Sequence, residues 1–257
     1  MDLPLKDILP GDILTYSLVF ARVGAMVTTL PALGEAIVPP RARLMLALAL
    51  TLVMAPVAGQ FYPVGSAALP LMLMGLVVSE TITGLAIGMV LRMVMSAVQL
   101  AGNVIATQTG LAFAQTFDAS QGTQSALVSM FLSMLAIVLI FAADLHHLLI
   151  AGIEHSYTAF PPGHLPPADD MLKLAVGAVS GLFTIGLQMS APFLVFGLVL
   201  YGAAGVLSRM MPQLQIFFIA MPLSILAGFV LLALSLSTMM LWFLDAFSTH
   251  AQLFAPN

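Results

Sequence analysis

Apolar residues fill the chain in six long blocks, at 13–33, 44–61, 69–91, 126–143, 171–200 and 214–244. Each is near the roughly 20 residues that a helix needs to cross a hydrocarbon core of about 30 Å. Two segments break the pattern. The first, 92–117, is rich in Gln, Asn, Thr and Gly. The second, 144–170, carries Asp144, Glu154, Asp169 and Asp170 and two proline pairs, with neither Lys nor Arg. It reads as a polar connection holding one short helix over 145–157. The basic residues Arg41, Arg43, Arg92 and Arg209 follow the first, third and fifth blocks. By the positive-inside rule a six-span chain then places both termini and 144–170 outside.

Composition sharpens this reading. The 257 residues are 61% hydrophobic and 7% charged, against about 25% charged in an ordinary soluble domain. So few charges exclude a soluble globular domain and a disordered chain. The absence of Cys removes thiolate chemistry, Cys-based metal sites and disulfides. With 7 Lys and Arg and a net charge of −4, nucleic acid is not an expected partner. Asp2, Asp7 and Asp12 outnumber Lys6 ahead of the first block, unlike the basic start of a cleaved signal. The expected class is an all-α membrane-associated protein in contact with lipid.

Proline and glycine qualify the picture of simple spans. Pro31, Pro56, Pro70, Pro192 and Pro222 lie inside or at the ends of apolar blocks. Proline removes a ladder hydrogen bond, and irregular backbone at membrane depth survives only under protein or water cover. The blocks are therefore expected to be broken into helical hairpins and finished by partner subunits. Gly84 with Gly88, and Gly177 with Gly181, form GxxxG steps that permit close helix approach, within this chain or against another.

The candidate functional residues are charged or amide groups in apolar surroundings. Arg22 sits in the middle of the first block, where an isolated Arg costs about 2.5–3.5 kcal/mol. Glu35 and Glu80 are its candidate partners, giving buried charge contacts. Arg92, Ser96, Gln99 and Asn103 follow a 4-3-4 spacing that lines one helix face, suited to a wet lumen or a polar subunit contact. Beyond it, Gly110, Leu111, Phe113 and Phe117 lie in a stretch with no clean period, able to close a pore or merely to connect two helices. His146-His147, with Asp144 before and Glu154-His155 after, matches no standard ligand spacing, and no metal is expected there. No nucleophile elbow, P-loop or dinucleotide fingerprint occurs, so neither an enzyme nor a cofactor is expected. Methionines such as Met72, Met74, Met89, Met93 and Met95 read as adaptable packing.

An ordered set of short stretches runs along the chain. The set opens with Phe20-Ala21-Arg22-Val23-Gly24-Ala25-Met26, Pro31, Gly34, Val38-Pro39, Arg41 and 46–51. It continues with 84–88, Arg92, Gln99, Gly102, Gln108 and Gly110, then Phe117-Asp118, Asp144-Leu145-His146-His147 and Ser156-Tyr157. It closes with Pro192, Gly205, Arg209, 212–217 and Pro222-Leu223. Taken in order, these stretches resemble the FliR family of flagellar biosynthetic proteins. The resemblance spans nearly the whole chain and implies one export-gate domain over 1–257 in type III secretion. It further implies a hetero-oligomeric helical ring built with FliP-like and FliQ-like subunits, an associated FlhB-like switch protein, and a place in the inner membrane at the flagellar basal body. The implied substrates are unfolded flagellar export proteins, and a loop at 106–122 is implied to plug the closed pore. Two rival readings are a secondary transporter with discontinuous helices, for which a paired internal repeat is missing, and an assembly factor that never lines the pore.

Overall fold

The computed structural model describes residues 10–35, 37–62, 70–112, 127–163, 168–211, 216–252 and 254. Among them every regular element is helical. The helices are α1 (Pro10–Thr29), α2 (Pro40–Ala58), α3 (Pro70–Gln108), α4 (Leu127–Ala142), α5 (Leu145–Ala159), α6 (Ala168–Met210) and α7 (Ile216–Gln252), with a 3-10 turn at Gly59–Phe61 after α2.

Local sequence accounts for the helix ends. Pro10, Pro40 and Pro70 each open a helix, where a fixed φ helps and the missing N–H has no partner to lose. Pro31 disfavours helical backbone at the residue before it, and α1 stops at Thr29. The chain then turns through Ala32 at φ 67°, with the Gly34 N–H bonded to the Leu30 carbonyl at 2.7 Å. Asp169 and Asp170 occupy the first turn of α6, where a helix dipole favours negative charge.

Among the described residues four helices are long and apolar enough to cross a membrane: α2 with its 3-10 turn, α3, α6 and α7. The consecutive pair α4 and α5, bent by 76° at their junction, makes a fifth if taken as one span. The described helices thus support four or five of the six expected spans. The apolar part of α1, Ile13–Thr29, is too short, because Pro31 and Gly34 end the helix early. The polar stripe also fails to start a separate segment: 70–91 and the stripe belong to one 39-residue helix, α3. Arg92 thus lies inside a helix and not in a connection, so the Arg pattern no longer fixes the orientation of the chain.

Nor do the internal prolines break their helices. α6 continues through Pro192 and α7 through Pro222. A single proline forfeits one ladder bond among dozens, and nearby hydroxyls can engage local carbonyls. Ser190 Oγ donates to the Gly186 carbonyl at 2.9 Å, and Ser224 Oγ donates to the Met221 carbonyl at 2.7 Å. The described bend falls instead at Ala143-Asp144, where Asp144 adopts a left-handed φ of 56°.

The chain forms two compact units. One comprises 1–93, 140–178 and 248–257; the other comprises 94–139 and 179–247. In the first, α1 packs along α2, and α3 lies on α1 through the Gly84/Gly88 step. A methyl at Gly84 would strike the Arg22 carbonyl, and one at Gly88 the Thr29 side chain. In the second, the later turns of α3 pack against α4, α6 and α7 through Gly102 on Ser129, Gly186 on Leu100, Gly197 on Gln108 and Gly228 on Thr109. Among the described residues nothing lies within 4 Å of a Cβ placed on Gly177, Gly202 or Gly205 of α6.

The two glycine steps therefore differ in what they touch, and substitution separates them. Gly84→Val should abolish the protease resistance of the first unit, because the obstacle is main chain and cannot swing aside; overpacking of this kind costs about 1–3 kcal/mol or more. Gly177→Val should leave the proteolysis pattern of the isolated chain unchanged. Equal sensitivity of the two variants would refute this packing.

Candidate functional site

The most polar point of the first unit lies at its most buried arginine. Arg22 of α1 and Glu80 of α3 are each 1% exposed. Arg22 Nε donates to Glu80 Oε2 at 2.6 Å, and Nη2 donates to Glu80 Oε1 at 3.2 Å. The remaining donors reach the C-terminal end of α5: Nη1 to the Ser156 carbonyl at 2.9 Å and Nη2 to the Phe160 carbonyl at 3.0 Å. Those carbonyls lie at the end of a helix, where the negative end of the dipole favours a cation; the Ser156 carbonyl also accepts from the Phe160 N–H at 2.9 Å. Tyr62, beyond the turn after α2, donates its hydroxyl to Glu80 Oε2 at 3.0 Å. The guanidinium carbon stands 4.4 Å from the centroid of the Tyr157 ring, within cation–π reach.

One side chain thus ties α1, α3, the end of α5 and the segment after α2. Burial first, then Tyr157 and Glu80, push the Tyr62 phenol well above its ordinary range, so it stays a donor. Glu80 is bonded through both oxygens, and this arrangement suits a clasp rather than acid–base catalysis. Of the two carboxylates expected beside Arg22, the structure brings up Glu80. Glu35 contributes its main-chain carbonyl to Arg43 Nη2 at 2.9 Å instead. The sequence reading gave no role to Tyr62, Tyr157 or the two carbonyls. Main-chain acceptors have no residue signature, and a tyrosine beside apolar residues is a weak one.

The polar stripe runs down α3. Arg92, Gln99 and Asn103 are exposed, Ser96 is half-buried, and Val90, Val94, Ala97, Val98 and Ala101 on the opposite face are buried. One helix turn further on, the tip of α3 is held firmly in the second unit. The Gln108 side chain fills the space beside Gly197, and the Gln108 main-chain carbonyl accepts from the Tyr201 hydroxyl at 3.4 Å. Thr109 fills the space beside Gly228, with its hydroxyl donating to the Ile105 carbonyl at 2.8 Å. Gly110 then takes φ 79°, the left-handed conformation that glycine adopts without strain at a helix end. Gly110 is buried and Leu111 half-buried, while Phe113 and Phe117 lie outside the described residues.

With this geometry in hand, the comparisons with known proteins agree with one another. Residues 13–250 match the family described as bacterial export proteins, family 1. The flagellar biosynthetic protein FliR of Caulobacter vibrioides is 47% identical over 230 residues, 88% of this chain and 90% of the relative. The protein of that name from Escherichia coli is 32% identical over 213 residues, 82% and 80% of the two chains. The Yop proteins translocation protein T of Yersinia pestis is 28% identical over 241 residues, 92% and 91% of the two.

Removing one partner from a buried pair leaves the other charge stranded, at about 3–5 kcal/mol. Arg22→Ala should therefore sharply lower the thermal and proteolytic stability of the membrane-extracted protein. Arg22→Lys should fail to restore it, since an ammonium cannot serve two carboxylate oxygens and two carbonyls in one plane. Tyr62→Phe should be milder, near about 1 kcal/mol for one lost hydrogen bond. An Arg22→Lys protein as stable as the wild type in a melting experiment would contradict the clasp.

Proposed function

Since this chain belongs to the bacterial export proteins, family 1, we propose that it is a subunit of the flagellar type III export gate. The 47% identity to a FliR protein across nearly the full length of both chains carries this reading. At the coarser level the chain is a membrane protein of flagellar biosynthesis and type III export, a component of that apparatus that works beside other export components. The Yersinia relative is named for the translocation of Yop proteins, which is likewise protein export.

In the finer proposal the chain joins FliP-like and FliQ-like subunits in a helical assembly of the inner membrane, at the base of the flagellum, next to an FlhB-like protein. Unfolded flagellar subunits pass through the channel. The apolar helices support this. At about 1.5 Å per residue, the 43-residue α6 is about 65 Å long, the 39-residue α3 about 58 Å and the 37-residue α7 about 56 Å. Each is about twice the thickness of a hydrocarbon core. Of the apolar window of α6 only 17% is buried within the chain, and of α7 only 22%, against 39% for α3. Protein partners are the natural cover for apolar length that lipid cannot reach.

Gating is assigned to the end of α3. Its stripe of Arg92, Ser96, Gln99 and Asn103 offers polar contact to a lumen or neighbouring subunit, and its seated tip fixes where the segment beginning at Gly110 and Leu111 leaves the helix. That segment, with Phe113 and Phe117, is proposed as the plug. Arg22 and Glu80 hold the base on which the helix stands, with Glu35 near the entry to α2. The chain supplies shape and contacts, and energy for export comes from other components.

Two measurements check this. A photo-crosslinker at Thr107 or Leu111 should capture an export substrate stalled by a folded fusion, whereas one at Val53 of α2 should not. Capture on partner subunits alone, with none at 107–111, would make this chain an assembly factor outside the channel. Deleting 110–114 should leave assembly intact and raise the ion permeability of the membrane. Wild-type permeability in a normally assembled complex would refute the plug.

A further inference from the structure

The bend between α4 and α5 carries a cluster of chemistry that export does not use. Asp144, His146 and His147 each present one donor atom, and the three lie within 4.8 Å of one another. Among the described residues this is the one group of three or more His and acidic side chains brought so close. The spacing alone argues against a site, because donors at i, i+2 and i+3 do not all share a face of a straight helix. The left-handed φ of Asp144 brings them together by setting the acidic residue just ahead of the first turn of α5.

Three features favour a metal over a chance gathering. The Asp144 carboxylate makes no capping hydrogen bond to the helix it precedes, although aspartate is a preferred residue at that position. It turns towards His147 instead, with Oδ1 3.9 Å from Nδ1. The His146 and His147 rings lie 4.1 Å apart between centroids, so both imidazoles serve the same small volume. His146 Nδ1 is buried and has no hydrogen-bond partner. A buried nitrogen without a partner costs about 1–3 kcal/mol, and a coordinated ion removes that cost if this nitrogen is the ligand.

We infer that Asp144, His146 and His147 form a binding site for a borderline first-row divalent ion, best suited to Zn2+. Two imidazoles and one carboxylate are the donor set that zinc, copper and nickel favour, whereas magnesium and calcium select all-oxygen sites. Zinc takes nitrogen and carboxylate ligands at about 2.0–2.2 Å. Tetrahedral geometry then asks for donor separations of about 3.3 Å, a closure within reach of the exposed Asp144 and His147 side chains. Three ligands leave a coordination position for water or for a group from another chain. An ion here would hold the turn at Asp144 against the first turn of α5, because Asp144 stands before that helix and both histidines stand on it.

Zinc binding to the full-length protein, purified with its partner subunits, tests the site. Wild-type complex equilibrated with Zn2+ and desalted should retain one ion per copy of this chain that the double variant His146→Ala/His147→Ala does not. Asp144→Asn should weaken binding by at least about tenfold, the scale on which even outer-shell partners matter. His155→Ala, about two helix turns beyond the cluster, should bind as the wild type does. Co2+ substitution should give the intense visible absorption of a four-coordinate ion, lost in the double variant, and excess Mg2+ should not compete. Equal zinc retention by wild type and double variant, or no retention by the wild type, would overturn the site. Metal content is read independently of export, so a failure here leaves the export-gate reading untouched.

Discussion

The structure is governed by a mismatch of length. A hydrocarbon core of about 30 Å needs about 20 helical residues, yet α3, α6 and α7 run for 39, 43 and 37. Apolar side chains continue along them beyond what a bilayer can bury; on α6, exposed large apolar residues extend from Leu172 to Met210. A tilt shortens the projection of a helix, but helices twice too long would have to lie far over. The proposed protein cover would resolve the conflict, and it would also account for a chain with so few charges to offer to water.

Inside the first unit, the Arg22 clasp gathers several segments around one side chain. A guanidinium in an apolar interior is costly to place and costly to strand. Its pairing with Glu80, the two carbonyls at the end of α5 and the Tyr157 ring satisfies all of it at once. A set of partners so particular tolerates few other arrangements of α1, α3 and α5. Seats at Gly197 and Gly228 do a similar service at the tip of α3 by shape instead of charge.

Some of this was legible in the residues and some was not. Arg22 announced itself as a buried charge, and one of its two expected carboxylates, Glu80, is its partner. The Gly84/Gly88 step was readable as close packing, though only the fold shows that it meets α1 of the same chain. Helix lengths were misread for identifiable reasons. The amides after Arg92 looked like the start of a new segment, but Gln, Ser and Asn on one face of an otherwise apolar helix do not end it. Pro192 and Pro222 looked like breaks and are single missing bonds inside long ladders. The Asp144 cluster depended on one left-handed residue, which no spacing rule foresees.

The claim that protein rather than lipid covers the long helices is open to a direct test, aided by a chain that has no native cysteine. Single cysteines at exposed positions along α6, such as Phe183, Leu187, Val195, Leu198 and Val206, accept a spin label, whose exposure to membrane-dissolved oxygen and to a water-soluble relaxant is then measured in the assembled complex. The account predicts shielding from both agents along most of the helix, with any oxygen-accessible stretch shorter than about 20 residues. Oxygen exposure along one face from 183 to 206, undiminished when partner subunits are present, would contradict it.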